Sequence, residues 1–323
     1  MKLIIQIPCY NEETTLPQVI EDLPQELPGI DRIEYLVIDD GSTDRTVEVA
    51  RDLGVHHITS LKSNRGCGAA FQQGLQKCIE LGADIIVNTD GDNQYKGSCV
   101  ESIVRPILEG TADIVIGIRP IEEIEDFSWL KKKLQRIGSY VARRFSGEEV
   151  ADTTSGFRAF SADAAMHLHI TTPYSHTLET IIQGGRLNMK IEQVPIGVNP
   201  TTRKSRLMTS MSQYIRRSAF IILRSYIRYS PRQTFLFLSL IFGIPGLAIC
   251  LRFLYYSFIL DQSGYVQSLI LAAVLLLMSF QLLVLGIIAD LVGLNRSMLQ
   301  ENYYLIKREF RGRYHQAQDG ESE

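Results

Sequence analysis

Residues 84–95 read DIIVNTDGDNQY. A mostly apolar run leads into two carboxylates one residue apart, Asp90 and Asp92, with Gly91 between them. The run suits a buried β-strand, and residues i and i+2 of an extended chain point to the same side. Carboxylates held there repel each other and resist joint ionisation. A cation is expected between them. Mg2+ or Mn2+ fits, because these ions take one or two protein carboxylates and complete their shell with water and phosphate oxygens. Gln94 is placed to assist, and Gly91 keeps the crossing compact. The plainer reading, a solvated acidic turn, would satisfy an isolated D-G-D. The strand in front of it and a second acidic turn upstream favour the ion.

That second turn is VIDDGSTDRT, residues 37–46, which sets Asp39 and Asp40 at a strand end. Gly41 permits a tight turn, and Ser42, Thr43 or Asp44 can cap the next helix. Acceptor carboxylates at such a turn can read a base N–H or a ribose hydroxyl; a capped βα turn without ligand is the competing reading. Across residues 1–200, short β-rich runs (3–7, 33–38, 84–88, 113–118 and 191–198) alternate with helical stretches (13–23, 44–53, 68–81 and 98–109). The alternation predicts an α/β domain with a Rossmann-like, mostly parallel sheet. Ligands of such sheets bind beyond the carboxyl ends of the strands, where PCYNEE, DDGSTD and TDGDNQ fall. NRGCGAAFQQG (64–74) has two glycines but lacks the third of a dinucleotide fingerprint and does not follow the first strand. It is expected to shape a loop beside a sugar or phosphate.

The C-terminal third has a different character. Two long apolar runs, 234–260 and 265–293, each exceed the ~20 residues a helix needs to cross a bilayer core. The short DQSG connection makes them a hairpin. Arg252, late in the first run, is expected to snorkel or to face the partner helix. Between residues 201 and 234 there are eight basic residues and no acidic one, and basic residues follow the second run, whereas the connecting loop holds only Asp261. The asymmetry places both chain ends on the cytosolic side. The stretch 210–231 mixes Arg with Ile, Leu, Phe and Tyr; it suits a helix in the headgroup layer, or one packed on the preceding domain. The expected organisation is a catalytic domain (1–205), an interfacial region (206–232), a transmembrane hairpin (233–293, spans about 234–260 and 265–291) and a C-terminal helix with a disordered tail (294–323).

The chain has 323 residues and a formal net charge of −3, from 33 Lys+Arg and 36 Asp+Glu. Its basic residues flank a membrane segment and no aromatic platform, so nucleic acid is not an expected partner. The five cysteines form no C-x-x-C pair, which argues against a zinc site and for reduced thiols. The N-terminus lacks the apolar run and cleavage site of a signal peptide.

IPCYNEE, VIDDGSTD, NRGCGAA, TDGDNQ and TTSGFRAF, in this order, resemble the family-2 glycosyltransferases of GT-A fold. With SGFR and the trailing hairpin, the chain is similar to the polyprenyl-phosphate sugar transferases, the group of dolichol-phosphate mannose synthase and bactoprenol-phosphate glucosyltransferases. The resemblance implies transfer of one sugar, with inversion, from a nucleotide-diphosphate sugar to a polyprenyl phosphate. By it, Pro8, Tyr10, Glu12, Asp39, Asp40 and Asp90 contact the nucleotide sugar, and Arg119 reaches a phosphate. Asp90, Asp92 and Gln94 hold Mg2+ or Mn2+ and the diphosphate. Asp152, Ser155, Gly156 and Arg158 form the acceptor-side loop, and Arg203 and Lys204 match a basic loop over the site, although RKSRL departs from the mannose synthase pattern. Asp92, Arg158 and Glu179 are the expected catalytic residues, Glu179 as acceptor-orienting group or base. Arg136 and Arg143 either join the phosphate cradle or lie on a solvated helix face. Family frequency favours UDP over GDP, and a homo-oligomer is left open. A processive polysaccharide synthase would carry a Q-x-x-R-W element, and the only Trp, Trp129, is not in one. Two competing functions stay open: transfer to a lipid or carbohydrate hydroxyl, which needs a true base, and a non-catalytic, membrane-anchored nucleotide-sugar scaffold.

Overall fold

The structure is a computed structural model that describes residues 1–120, 150–173, 176–200, 224, 227, 230–259 and 266–321. Arg136, Arg143, Arg203, Lys204 and nearly all of the 206–232 region lie outside them. The chain divides into two compact units, residues 1–213 with 300–323, and residues 214–299.

The first unit is built on a seven-stranded sheet of order β3-β2-β1-β4-β6-β5-β7. Its strands are β1 (Lys2–Cys9), β2 (Arg32–Asp39), β3 (His57–Ser60), β4 (Ile85–Asn88), β5 (Ile114–Ile118), β6 (Arg158–Ser161) and β7 (Ile191–Pro195). β1 pairs in parallel with β2 and β4, β2 with β3, and β5 with β7. β6 alone is reversed, antiparallel to both β4 and β5. The helices are α1 (Leu16–Asp22), α2 (Thr46–Asp52), α3 (Cys67–Glu80), α4 (Val100–Leu108), α5 (Ala162–His167) and α6 (Thr177–Arg186).

The central strands β1, β2, β4 and β5 are rich in buried apolar residues because both sheet faces are covered there. Leu3, Ile5 and Ile7 point to one face and pack with Leu16 and Val19 of α1 and Ile103 and Val104 of α4. Ile4, between them, points to the other face and meets Phe71 and Leu75 of α3 and Ala165 of α5. Each fully buried Leu, Ile or Phe contributes about 1.5–3 kcal/mol.

The second unit contains α7 (Pro231–Phe258) and the first part of α8 (Val266–Glu321). Both helices are long and apolar enough to cross a membrane. Phe235 approaches Gly286, Gly243 approaches Ser279 and Gly246 approaches Leu275. One number rises as the other falls, so the helices are antiparallel. A Cβ on Gly286 would stand 2.9 Å from Phe235 Cβ, and one on Gly246 3.0 Å from Leu275 Cβ. Small residues let the backbones approach, as in other membrane helix pairs. Arg252 lies 5.6 Å from the centre of the Tyr256 ring, within its own helix.

Three features differ from the sequence expectations. β3 and β6 are present although neither reads as a strand. No break separates the second apolar run from the C-terminal helix. Helical backbone also continues to Glu321, through the stretch expected to be disordered.

Candidate active site

The parallel strands deliver three acidic turns to one edge. In register, Cys9 stands opposite Asp39, and the Asp40 amide donates to the Cys9 carbonyl at 2.8 Å. Pro8 and Tyr10 therefore flank the Asp39–Asp40 turn, and Tyr10 remains exposed. Asn11 adopts a left-handed conformation (φ 56°), and its side-chain oxygen accepts from the Thr43 amide, tying the first turn to the second. Asp39 accepts from the Ser42 amide at 2.9 Å. Asp40 accepts from the amides of Arg65 and Gly66 at 2.7 and 2.8 Å and so fixes the glycine loop before α3. Glu12 is buried; Thr15 Oγ1 lies 2.8 Å from its Oε2 and 2.7 Å from the Gly91 carbonyl.

Asp90 and Asp92 follow β4. Burial, then the neighbouring Asp92 charge, push the Asp90 carboxyl up to about 7, against the opposing pull of Arg119 and a Tyr95 hydrogen bond. Asp92 accepts from the Gln94 amide at 3.2 Å. No cluster of three His, Cys, Asp or Glu poised for a metal occurs among the described residues. Asp90 and Asp92 are the two neighbouring carboxylates that could hold an ion sharing its shell with phosphate.

The reversal of β6 brings the 152–157 loop to the same edge, because the start of an antiparallel strand lies beside the ends of its neighbours. Asp152 is fully buried and pairs with Arg119 at 2.8 and 3.1 Å; it also accepts from the amides of Thr154 and Ser155. Burial alone would raise the Asp152 carboxyl, but Arg119 holds it below the usual range. Gly156 lies against the acidic pair: a Cβ there would be 2.9 Å from Asp90 Oδ2. Its amide donates to Tyr95 Oη at 3.0 Å and its carbonyl accepts from Asn88 Nδ2 at 2.8 Å. Gln6 in turn donates to Asn88 Oδ1 at 2.9 Å.

Arg158 and Glu179 are placed differently from their expected reach toward the acceptor. Arg158 is 0 % exposed and donates to the carbonyls of Ser155, Thr177 and Thr153 and to Thr180 Oγ1. Burial lowers its pKa to about 10, leaving it charged at neutral pH. Its guanidinium joins the 152–157 loop to α6. Glu179 is buried and accepts from the amides of Thr171 and Thr172 and from both their hydroxyls. Ser155 is fully buried, and its Oγ has no hydrogen-bond partner among the described residues.

Asn88, Tyr95 and Asn199 belong to this constellation and were not singled out by sequence. Asn199 donates to the carbonyl of Asn93 at 3.1 Å, and its amide donates to Gln94 O at 2.9 Å, so the chain after β7 braces the Asp92 turn. A polar residue closing an apolar strand was the available signal for Asn88. Burial, then the charges of Asp90, Asp40 and Asp92, push the Cys67 thiol up to about 12.

The fold, a mostly parallel sheet with acidic turns at the strand ends, is of GT-A type. The chain belongs to glycosyl transferase family 2, whose model matches residues 4–168. It is a glycosyltransferase of the polyprenyl-phosphate sugar transferase group. A UDP-N-acetylglucosamine–dolichyl-phosphate N-acetylglucosaminyltransferase of Methanococcus voltae is 31% identical over 212 residues, 59% of this chain and 82% of that protein. An undecaprenyl-phosphate mannosyltransferase of Micrococcus luteus is 28% identical over 207 residues, 61% of this chain and 83% of the other. Glucosyl-3-phosphoglycerate synthase from Mycobacterium tuberculosis, crystallised with Mn2+, UDP and glucosyl-3-phosphoglycerate, shares the fold with a TM-score of 0.54 at 20% identity, over 70% of this chain and 78% of that one.

Proposed function

We propose that the protein transfers one sugar from a nucleotide-diphosphate sugar, a UDP-sugar by family frequency, to a membrane polyprenyl phosphate with inversion at the anomeric carbon. The observation that carries this reading is the Asp90/Asp92 pair beside Gly156, where the acidic turns meet the acceptor-side loop. Asp90 and Asp92, with Gln94, would hold Mg2+ or Mn2+, which when bound neutralises the diphosphate leaving group. The divalent ion and UDP bound by the Mycobacterium tuberculosis enzyme support this choice. Pro8, Tyr10, Glu12, Asp39 and Asp40 line the strand ends where the nucleotide would lie.

A phosphate monoester has a second pKa near ~6 and is already a nucleophile at neutral pH. No base is required, which suits the full occupation of Glu179 by the 171–172 segment. Glu179 and Arg158 then work as positioning residues, and Arg119 with Asp152 fixes the loop that meets the acceptor. Arg203 and Lys204 would supply cations to the lipid phosphate. A polyprenyl phosphate stays in the bilayer, so α7 and α8 would hold the site at headgroup depth among membrane lipids, with the catalytic unit and both termini cytosolic.

The test is a transfer assay on detergent-purified protein with polyprenyl phosphate and a panel of labelled UDP- and GDP-sugars, with Mg2+, Mn2+ or chelator. Label is expected in the organic phase only with metal and only from certain donors. No transfer from any donor, alongside metal-dependent nucleotide binding, would move the acceptor to a hydroxyl.

A further inference from the structure

The end of α8 belongs to the catalytic unit from Gln300 onward. Three of its residues, Tyr304, Lys307 and Arg311, are spaced three and four apart and so share one helix face. Tyr304 Oη donates to Asp163 Oδ1 at 2.9 Å, and its ring stacks on His167 with centroids 3.7 Å apart. Lys307 is 6 % exposed, and its ammonium donates to the Met166 carbonyl at 3.1 Å beside the Tyr303 ring. Arg311 donates to Asp84 Oδ1 at 2.6 Å, just ahead of β4. A buried ammonium is costly to desolvate and is tolerated only where a partner is fixed in place.

The segment grasped by Tyr304 and Lys307 leads to the glycine loop. After α5 the chain runs as an irregular strap, residues 168–173. The Ile170 amide donates to Gln72 Oε1 on α3 at 2.6 Å, Thr171 and Thr172 donate to Glu179, and the Pro173 carbonyl accepts from the Gly68 amide at 3.0 Å. A side chain at Gly66 would clash with the Pro173 carbonyl and one at Gly68 with the Thr172 carbonyl. The glycines of NRGCG are thus required by the strap pressed against them. The same loop donates two amides to Asp40.

We propose that Tyr304 and Lys307 are positioning residues for the donor site: by clamping α5 they set the strap, and the strap sets the 64–68 loop on Asp40. The inference rests on the reading of Asp40 as a nucleotide contact, but its mechanical part can be measured without catalysis. The full-length protein in detergent would be compared with Tyr304→Ala/Lys307→Met by hydrogen exchange and by titration with UDP and with GDP in the presence of Mn2+. Faster exchange is expected at 166–173 and 64–68 but not in α2 (46–52), together with about tenfold weaker binding of whichever nucleotide the parent protein binds. Lys307→Arg alone, which keeps a donor and Tyr304, should show little of either change. Extra exchange confined to 300–321, with nucleotide affinity unchanged, would overturn the proposal. General acceleration that includes α2 would do so too, since the contact would then serve stability alone. A parent protein that binds neither nucleotide would instead contradict the donor reading and leave the exchange result to judge the clamp.

Discussion

The two units place the same residue types in opposite positions. In the catalytic unit Leu3, Ile4, Ile5 and Ile7 are fully buried, and charged Asp152 and Arg158 are buried with them. In the hairpin unit Phe237 is 66 % exposed, Ile244 63 % and Phe280 63 %, whereas Ser239 and Ala272 are buried. An apolar exterior on this scale needs lipid or detergent around it. A helix pair in lipid gains little by hiding its large apolar side chains, so packing small residues sets its contact. The catalytic unit shows the complement: it buries ions and satisfies them through networks such as Arg119–Asp152–Thr154. The two units are thus held by different contacts, and substitutions should separate them.

The largest effect is expected at the acidic edge. Asp92→Asn should lower transfer about a thousandfold while leaving the thermal transition of the catalytic unit in place; activity measured across a Mn2+ titration, alongside a thermal melt, checks both. Asp152→Asn strikes the buried network and leaves Arg119 without its ionic partner. A loss of about 3–5 kcal/mol of stability is expected. Because the folded carboxyl lies below its ordinary value of about 3.9, the ionic contribution is fully present above that value. It is lost as pH falls through the native pKa. Parent and variant melts should therefore converge in acid; a constant gap across pH would mean that shape, not charge, is at stake. Gly286→Ile should overpack α7 against α8 at a cost of about 1–3 kcal/mol, read as loosening of the hairpin in detergent with nucleotide affinity unchanged. The smallest effect is expected from Glu179→Gln, which keeps an acceptor for the 171–172 segment. It should weaken donor binding by about 1 kcal/mol or less and leave the pH–rate profile unmoved. Loss of a basic limb from that profile would restore Glu179 as a base.

Much of the sheet was legible because β1, β2, β4 and β5 are apolar-rich runs and β7 begins a β-rich stretch after turn residues. β3 and β6 were not: HITS and RAFS are four residues each and too mixed to show a period. Nor does a strand's sequence carry its direction, so the reversal of β6 had no signature. The acidic turns stood out as candidate ligands for a cation because two carboxylates at i and i+2 pose an electrostatic problem wherever they occur. Arg158 and Glu179 read as reactive for the same reason, charge in a motif, whereas the structure buries both among backbone groups and threonine hydroxyls. The grip of Asn88 on Gly156 joins residues 68 apart and leaves no local trace.

The inverted strand also dictates an order of assembly. β4 and β5 do not pair with each other; β6 fills the slot between them. Ile85 must find Ser161, and Ile114 must find Phe160, closures across long stretches of chain that form slowly. During synthesis the first half therefore emerges with an apolar strand edge still unsealed on β4, and β5 has nothing to join it to the sheet. A chain halted before Arg158 would expose both edges to other chains, and such edges template aggregation. Arg158–Ser161 is thus the keystone of the nascent protein as well as the strand that carries the 152–157 loop to the acidic edge.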